Sequence, residues 1–126
     1  MERVAVVFPH VKYSTYDCAV GYSSAFRRLG FHTTEVHYEL LWEHYEQRAK
    51  NPYKKATRHV VLEVVESCPD LVVVIDGSHI HRSFWNWTKR LGIKTAAVMT
   101  DCPYYDKINA TLAELADYPF AKRKVI

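Results

Sequence analysis

The sequence predicts an α/β domain of three layers, an open parallel sheet with helices on both faces, with residues 1–126 forming a single unit. Three observations predict it. Two short runs, Val4–Phe8 and Leu71–Ile75, are continuously apolar rather than alternating, as strands buried on both faces are. Each run is followed by a helical pattern that closes on two basic residues, a leucine and a glycine: Arg27-Arg28-Leu29-Gly30 and Lys89-Arg90-Leu91-Gly92. Each closure leads directly into a further strand candidate, Phe31–Tyr38 and Lys94–Thr100. Strand, crossover helix, strand, twice over, is the pattern of βαβ units and hence of a parallel sheet.

The elements follow in order. After the first strand, Ser14-x-x-Asp17 can form a capping box, and Cys18, Tyr22, Ala25, Phe26 and Leu29 recur at steps of three and four. The glycine closure then supplies the left-handed stop. Leu40–Lys50 reads as a polar, aromatic-rich helix. Asn51-Pro52 opens the next helix, with Ala56, Val60, Val61, Val64 and Val65 as its apolar stripe and Cys68-Pro69 as its end. Beyond the second apolar strand, Ser78 can cap a helix whose apolar face is Ile80, Phe84, Trp87 and Leu91. A last helix is expected over Tyr104–Asp117, with Tyr105, Ile108, Leu112 and Leu115 facing inward.

Composition bounds the function classes. The chain is 48% hydrophobic and 25% charged, an ordinary globular balance, and its formal charge of +3 is too mild and scattered to point to nucleic acid. The run Ala121-Lys122-Arg123-Lys124 reads as a solvated tail. Three widely spaced cysteines without a Cys-x-x-Cys pair give neither a disulfide framework nor a zinc site, which favours a reducing compartment. The opening Met-Glu-Arg leads straight into a run too short for a signal segment, and no apolar stretch reaches the roughly 20 residues of a membrane span. The expectation is a soluble, cytoplasmic protein with no membrane span.

Ligands of open parallel sheets bind beyond the carboxyl ends of the strands, near the point where strand order reverses. That rule selects the loops Pro9–Ser14, Asp76–His81 and Thr100–Asp106. His10, just after the first strand, is the candidate general base, and Asp101 can orient it or act itself, although an aspartate before Cys102-Pro103 also caps helices. Lys12, Tyr13, Ser14, Asp76, His79 and Tyr104 are the candidate substrate-binding residues. Asp76 before Gly77 is equally a turn aspartate, and His79 and His81, two apart at a helix start, do not share a face for a metal. Neither G-x-G-x-x-G nor G-x-x-x-x-G-K-[ST] is present, so a nucleotide has no glycine cradle.

Three stretches together carry a family resemblance. They are Ser14-Thr15-Tyr16-Asp17 through Gly21-Tyr22 to Ala25–Phe31, Pro69–Gly77, and Leu91–Tyr104 with its Thr-Asp-Cys-Pro-Tyr ending. In these stretches the chain resembles the CgeB-like, spore-maturation-protein glycosyltransferases, a GT-B group common in bacteria and their phages. Ala116-Asp117-Tyr118 is similar to the approach to that family's next strand. The resemblance implies a Rossmann-like N-terminal half that shapes the acceptor site, with no cofactor of its own. It also implies that the nucleotide-sugar donor binds mainly to a second, C-terminal GT-B domain or partner chain, with a sugar or protein as acceptor. Two alternatives from other classes stand beside it. One is a non-catalytic binding module, with Trp42, Tyr45, Trp85 and Trp87 as candidate interface aromatics and Trp87 expected in the core. The other is a receiver-like signalling domain centred on Asp76, against which the first strand ends in Phe8-Pro9-His10 instead of an acidic pair.

Overall fold

The computed structural model describes residues 2–9, 15–48, 50–76, 80–99 and 114–121. The five strands are β1 (Arg3–Phe8), β2 (His32–His37), β3 (Leu71–Ile75), β4 (Lys94–Met99) and β5 (Tyr118–Ala121). They form one sheet in the order β2-β1-β3-β4-β5, and every neighbouring pair is parallel. Ala5 of β1 stands between Thr34 of β2 and Val72 of β3, so the first apolar run is central, as its continuous hydrophobicity requires. Among the described residues, the helices α1 (Thr15–Arg28), α2 (Tyr38–Glu46), α3 (Pro52–Ser67) and α4 (Ser83–Arg90) cover the sheet.

The two faces of the sheet divide the core. Val4, Val6, Phe8, Val73, Ile75, Ala96 and Val98 pack towards α1, while Ala5, Val7, Val72, Val74 and Ala97 pack towards α2, α3 and α4. This is the three-layer, Rossmann-like arrangement expected. None of the described helices is long and apolar enough to cross a membrane.

Both βαβ units end alike. In α1, Gly30 at φ +91 donates its N–H to Arg27 O at 3.0 Å while Phe31 N bonds Phe26 O at 3.0 Å. In α4, Gly92 at φ +71 donates to Lys89 O at 3.1 Å while Ile93 N bonds Thr88 O at 3.0 Å. These are paired Schellman closures, and the positive φ is why glycine stands at each. Helix α3 begins as expected: the Asn51 side chain accepts from Lys54 N at 3.1 Å, with Pro52 in the first turn. It ends on Cys68 in the left-handed region, directly before Pro69.

Several details differ from the sequence reading: α4 begins at Ser83, so Ile80 precedes it instead of lying on its face, and α2 ends at Glu46 and not at Lys50. The inward face of α1 is Tyr16, Ala19, Ser23 and Phe26, not the face centred on Tyr22 and Leu29, and Leu29 is 73% exposed. A polar contact fixes this rotation, since the Ser23 hydroxyl, itself buried, donates to Glu35 Oε2 of β2 at 2.7 Å. In α4 the buried residues are Phe84, Trp85 and Thr88, so Trp87 is not a core residue; it is 44% exposed, against 1% for Trp85. The Phe84 and Trp85 rings pack edge to face at 5.0 Å, and this adjacent pair buries more aromatic surface than a stripe through Trp87 and Leu91 would. Helix α2 starts at Tyr38, directly at the end of β2 and earlier than the expected Leu40.

The edge of the sheet remote from the strand ends is tied by Asp70. Its Oδ2 accepts the backbone N–H groups of Glu2 at 2.8 Å and Arg3 at 3.0 Å, and those two bonds hold its carboxyl below the usual aspartate range. Of the expected last helix, residues 114–117 are described: 114–115 are helical, while Ala116 and Asp117 form a bend, so the helix ends short of the expected Asp117. Asp117 then anchors the entry to β5: its Oδ2 accepts from Thr95 N at 3.0 Å and from Thr95 Oγ1 at 3.3 Å.

Candidate functional site

The strand order reverses between β1 and β3: the chain leaves β1 for β2 on one side and returns past it to β3 on the other. The carboxyl ends of these two strands, at Phe8 and Ile75, therefore flank the crevice where such sheets take ligands. Asp76 closes β3 with φ +52 and donates its N–H to Val98 O at 3.0 Å. The left-handed backbone turns the chain sharply off the sheet at the crevice, a conformation that aspartate tolerates better than most residues.

The residues entering α4 are fixed to helix α3. His81 N donates to Thr57 Oγ1 at 3.0 Å, and Thr57, fully buried, also shares a hydrogen bond with the Tyr38 hydroxyl. One threonine thus ties the start of α2 and the start of α4 to α3. Burial of Tyr38 pushes its phenol well above the ordinary tyrosine range, so it stays protonated. His81 Nδ1 accepts from Ser83 N at 3.2 Å and lies 2.9 Å from Ser83 Oγ. That imidazole caps α4, which places its ring proton on Nε2.

On the α1 side of the crevice lies a cluster that the sequence reading missed. The His37 ring, at the end of β2, packs on Phe8 with centroids 4.5 Å apart, and Tyr16 stands 5.5 Å from Phe8 and 6.3 Å from His37. His37 Nε2 is 3.3 Å from Glu35 Oε1, while Glu35 Oε2 accepts from Ser23 Oγ at 2.7 Å and from Arg27 Nη1 at 2.8 Å. Partial burial pushes the Glu35 carboxyl up, but the hydrogen bonds from Ser23, Arg27 and His37 and the Arg27 charge outweigh it and hold it below the usual glutamate range. With Nε2–H directed at Glu35, the neutral ring keeps its lone pair on Nδ1, as an oriented general base does. The Arg27–Glu35 pair also fastens α1 to the edge strand, and because the arginine is 52% exposed its charge adds little stability. The signal was present as alternation: Glu35 and His37 are two apart in a strand, and so share a face.

Of the residues expected to carry function, the structure places Asp76 at the crevice. His10, Lys12, Tyr13, Ser14, His79, Asp101 and Tyr104 lie outside the described residues. Comparison with protein-family models, with curated protein sequences and with solved structures gives no match to the chain.

Proposed function

We propose that the chain is the acceptor-side domain of a glycosyltransferase, holding a hydroxyl-bearing acceptor at the crevice between β1 and β3. A second Rossmann-like domain or a partner chain supplies the nucleotide-sugar donor. The observation that carries this reading is the gathering at one sheet edge of the half-buried Tyr16 and His37 rings packed over the buried Phe8, the Glu35-oriented imidazole and the left-handed backbone at Asp76. Aromatic faces pack on the apolar side of sugar rings, and an oriented imidazole accepts the hydroxyl proton as the acceptor oxygen bonds the donor's anomeric carbon and the nucleoside diphosphate departs from that carbon with its bonding electron pair. His10 and Asp101, each two residues beyond a strand end in sequence, β1 at Phe8 and β4 at Met99, are the remaining members of the proposed proton-accepting set. The resemblance to CgeB-like enzymes supplies the reaction class. A non-catalytic binding module would share the crevice but lack the transfer.

The test has two stages. An amide-resolved NMR titration of the full chain with mono- and oligosaccharides should shift Phe8, His37 and Asp76 together. Shifts confined to other regions, or none at all, would refute the acceptor site. With the donor half supplied, His10→Ala and Asp101→Asn should abolish sugar transfer while leaving the circular dichroism spectrum unchanged. Full transfer in both variants would remove the two residues from the mechanism.

A further inference from the structure

The charge of the chain is not spread evenly over its fold. Residues 44–59 carry five of the 17 lysines and arginines (Arg48, Lys50, Lys54, Lys55 and Arg58) and one of the 14 carboxylates, Glu46. The remainder therefore holds twelve cations against thirteen carboxylates, and is slightly acidic. The whole positive excess belongs to the end of α2, the turn after it and the first half of α3.

The fold folds part of that excess into a groove. Lys55, Arg58, His59 and Leu62 are spaced at i, i+3, i+4 and i+7, one continuous face of α3 beside the buried Ala56–Thr57–Val60–Val61 face. Tyr45 and Arg48 close the other side, giving a groove of about 390 Å³ with no carboxylate among its described lining residues. Such a volume is in the range of small-molecule sites, at its lower end. Among the described residues, neither Lys55 nor Arg58 nor Arg48 forms an ion pair; Arg48 Nη1 donates only to His44 O, at 2.7 Å. Tyr45 Oη lies 3.3 Å from His59 Nδ1, with the rings edge to face at 6.1 Å. When the tyrosine hydroxyl donates to Nδ1, the ring proton sits on Nε2 and the imidazole is a further donor. Three cations without an ion pair among the described residues, a donor imidazole and an aromatic wall make a site for a compact anion attached to a ring.

We propose that the α2–α3 groove binds a small phosphate-bearing molecule, a phosphoryl dianion carried on a sugar-sized ring. Arginine and lysine hydrogen-bond phosphoryl oxygens with charge assistance, and the guanidinium fork can take two at once. A polymeric phosphate backbone is disfavoured by the charge distribution. Outside residues 44–59 the chain carries twelve cations against thirteen carboxylates, whereas a nucleic-acid surface needs a net basic track longer than one groove. The proposal is independent of the sheet-edge site, since it uses none of its residues.

The test is an amide-resolved NMR titration of the full chain with ribose 5-phosphate, with ribose and with oligothymidylate. Ribose 5-phosphate should saturate, shifting Arg48, Lys55, Arg58 and His59, and should weaken as salt is raised; ribose should shift none of them. Lys55→Gln and Arg58→Gln, both at exposed positions, should each weaken ribose 5-phosphate about tenfold or more at unchanged melting temperature, as loss of a charge-assisted bond implies. Equal binding of ribose and its phosphate would overturn the proposal, as would unchanged affinity in both variants. Saturable binding of oligothymidylate without binding of ribose 5-phosphate would overturn it in favour of nucleic acid.

Discussion

Thr57→Val tests how the sheet edge is held together. The substitution keeps the shape of a fully buried side chain and removes only its hydroxyl. Two hydrogen bonds go with it, the one accepted from His81 N at 3.0 Å and the one shared with the Tyr38 hydroxyl. At about 1 kcal/mol net for each intramolecular hydrogen bond, the loss is about 2 kcal/mol. For a domain of this length that lowers the melting temperature by roughly 6–10 °C, interpolating between the shifts typical of smaller and larger domains. Thr57→Ser is the control. It keeps the hydroxyl and loses one buried methyl, worth about 1 kcal/mol. Urea unfolding followed by tryptophan fluorescence should rank wild type above Thr57→Ser and Thr57→Val lowest, with a common m-value. Hydrogen exchange at the His81 amide should accelerate in Thr57→Val and not in Thr57→Ser. If valine proves as stable as serine or more so, the hydroxyl contributes nothing and the account of Thr57 is wrong.

Trp85→Ala should cost about 3–5 kcal/mol and Trp87→Ala less than about 1 kcal/mol, because Trp85 is 1% exposed and Trp87 lies half in solvent; equal losses in denaturant melts would restore Trp87 to the core. Gly30→Ala and Gly92→Ala should each destabilise by about 1–2 kcal/mol although no atom lies within 4 Å of the added Cβ, since the cost is the positive φ alone; a neutral result in thermal melts would contradict the closure geometry. The Glu35 carboxyl has a folded pKa below its unfolded one, so its contribution is present above the ordinary glutamate range and is lost as pH falls through the folded value. Glu35→Gln should therefore flatten the acid limb of the stability curve between those two values, and an unchanged limb would show that Ser23, Arg27 and His37 do not act on Glu35.

Much of the fold was legible because the forces that make it are local. The central strands announce themselves by unbroken β-branched runs, α3 by Asn51-Pro52, and both crossover helices by Leu-Gly closures whose glycines adopt the positive φ that other residues resist. The sheet edge was legible only as a place. Asp76 falls there because it ends a strand, whereas Glu35 and His37 lie inside the strand candidate Phe31–Tyr38 with nothing in the local pattern to single them out. Their roles arise from Ser23 and Arg27, which reach Glu35 from a different element. Thr57 was hidden for a similar reason: within an apolar stripe a threonine passes for a β-branched filler, and only its two partners reveal the hydroxyl's work.

The sequence by itself determined the βαβ order, the parallel sense of the sheet and the C-terminal closures of α1, α3 and α4, since burial on both faces and backbone φ preferences are properties of short segments. Only the tertiary structure decided which flank of each helix turned inward. It chose Ser23 over Tyr22 and Trp85 over Trp87 because a helix docks where its whole surface fits the sheet and its polar atoms find partners, not where hydrophobicity alone peaks. It also converted a mild and scattered charge into a basic groove, because Arg48 and Arg58, ten positions apart, line the same concave surface once α2 packs on α3.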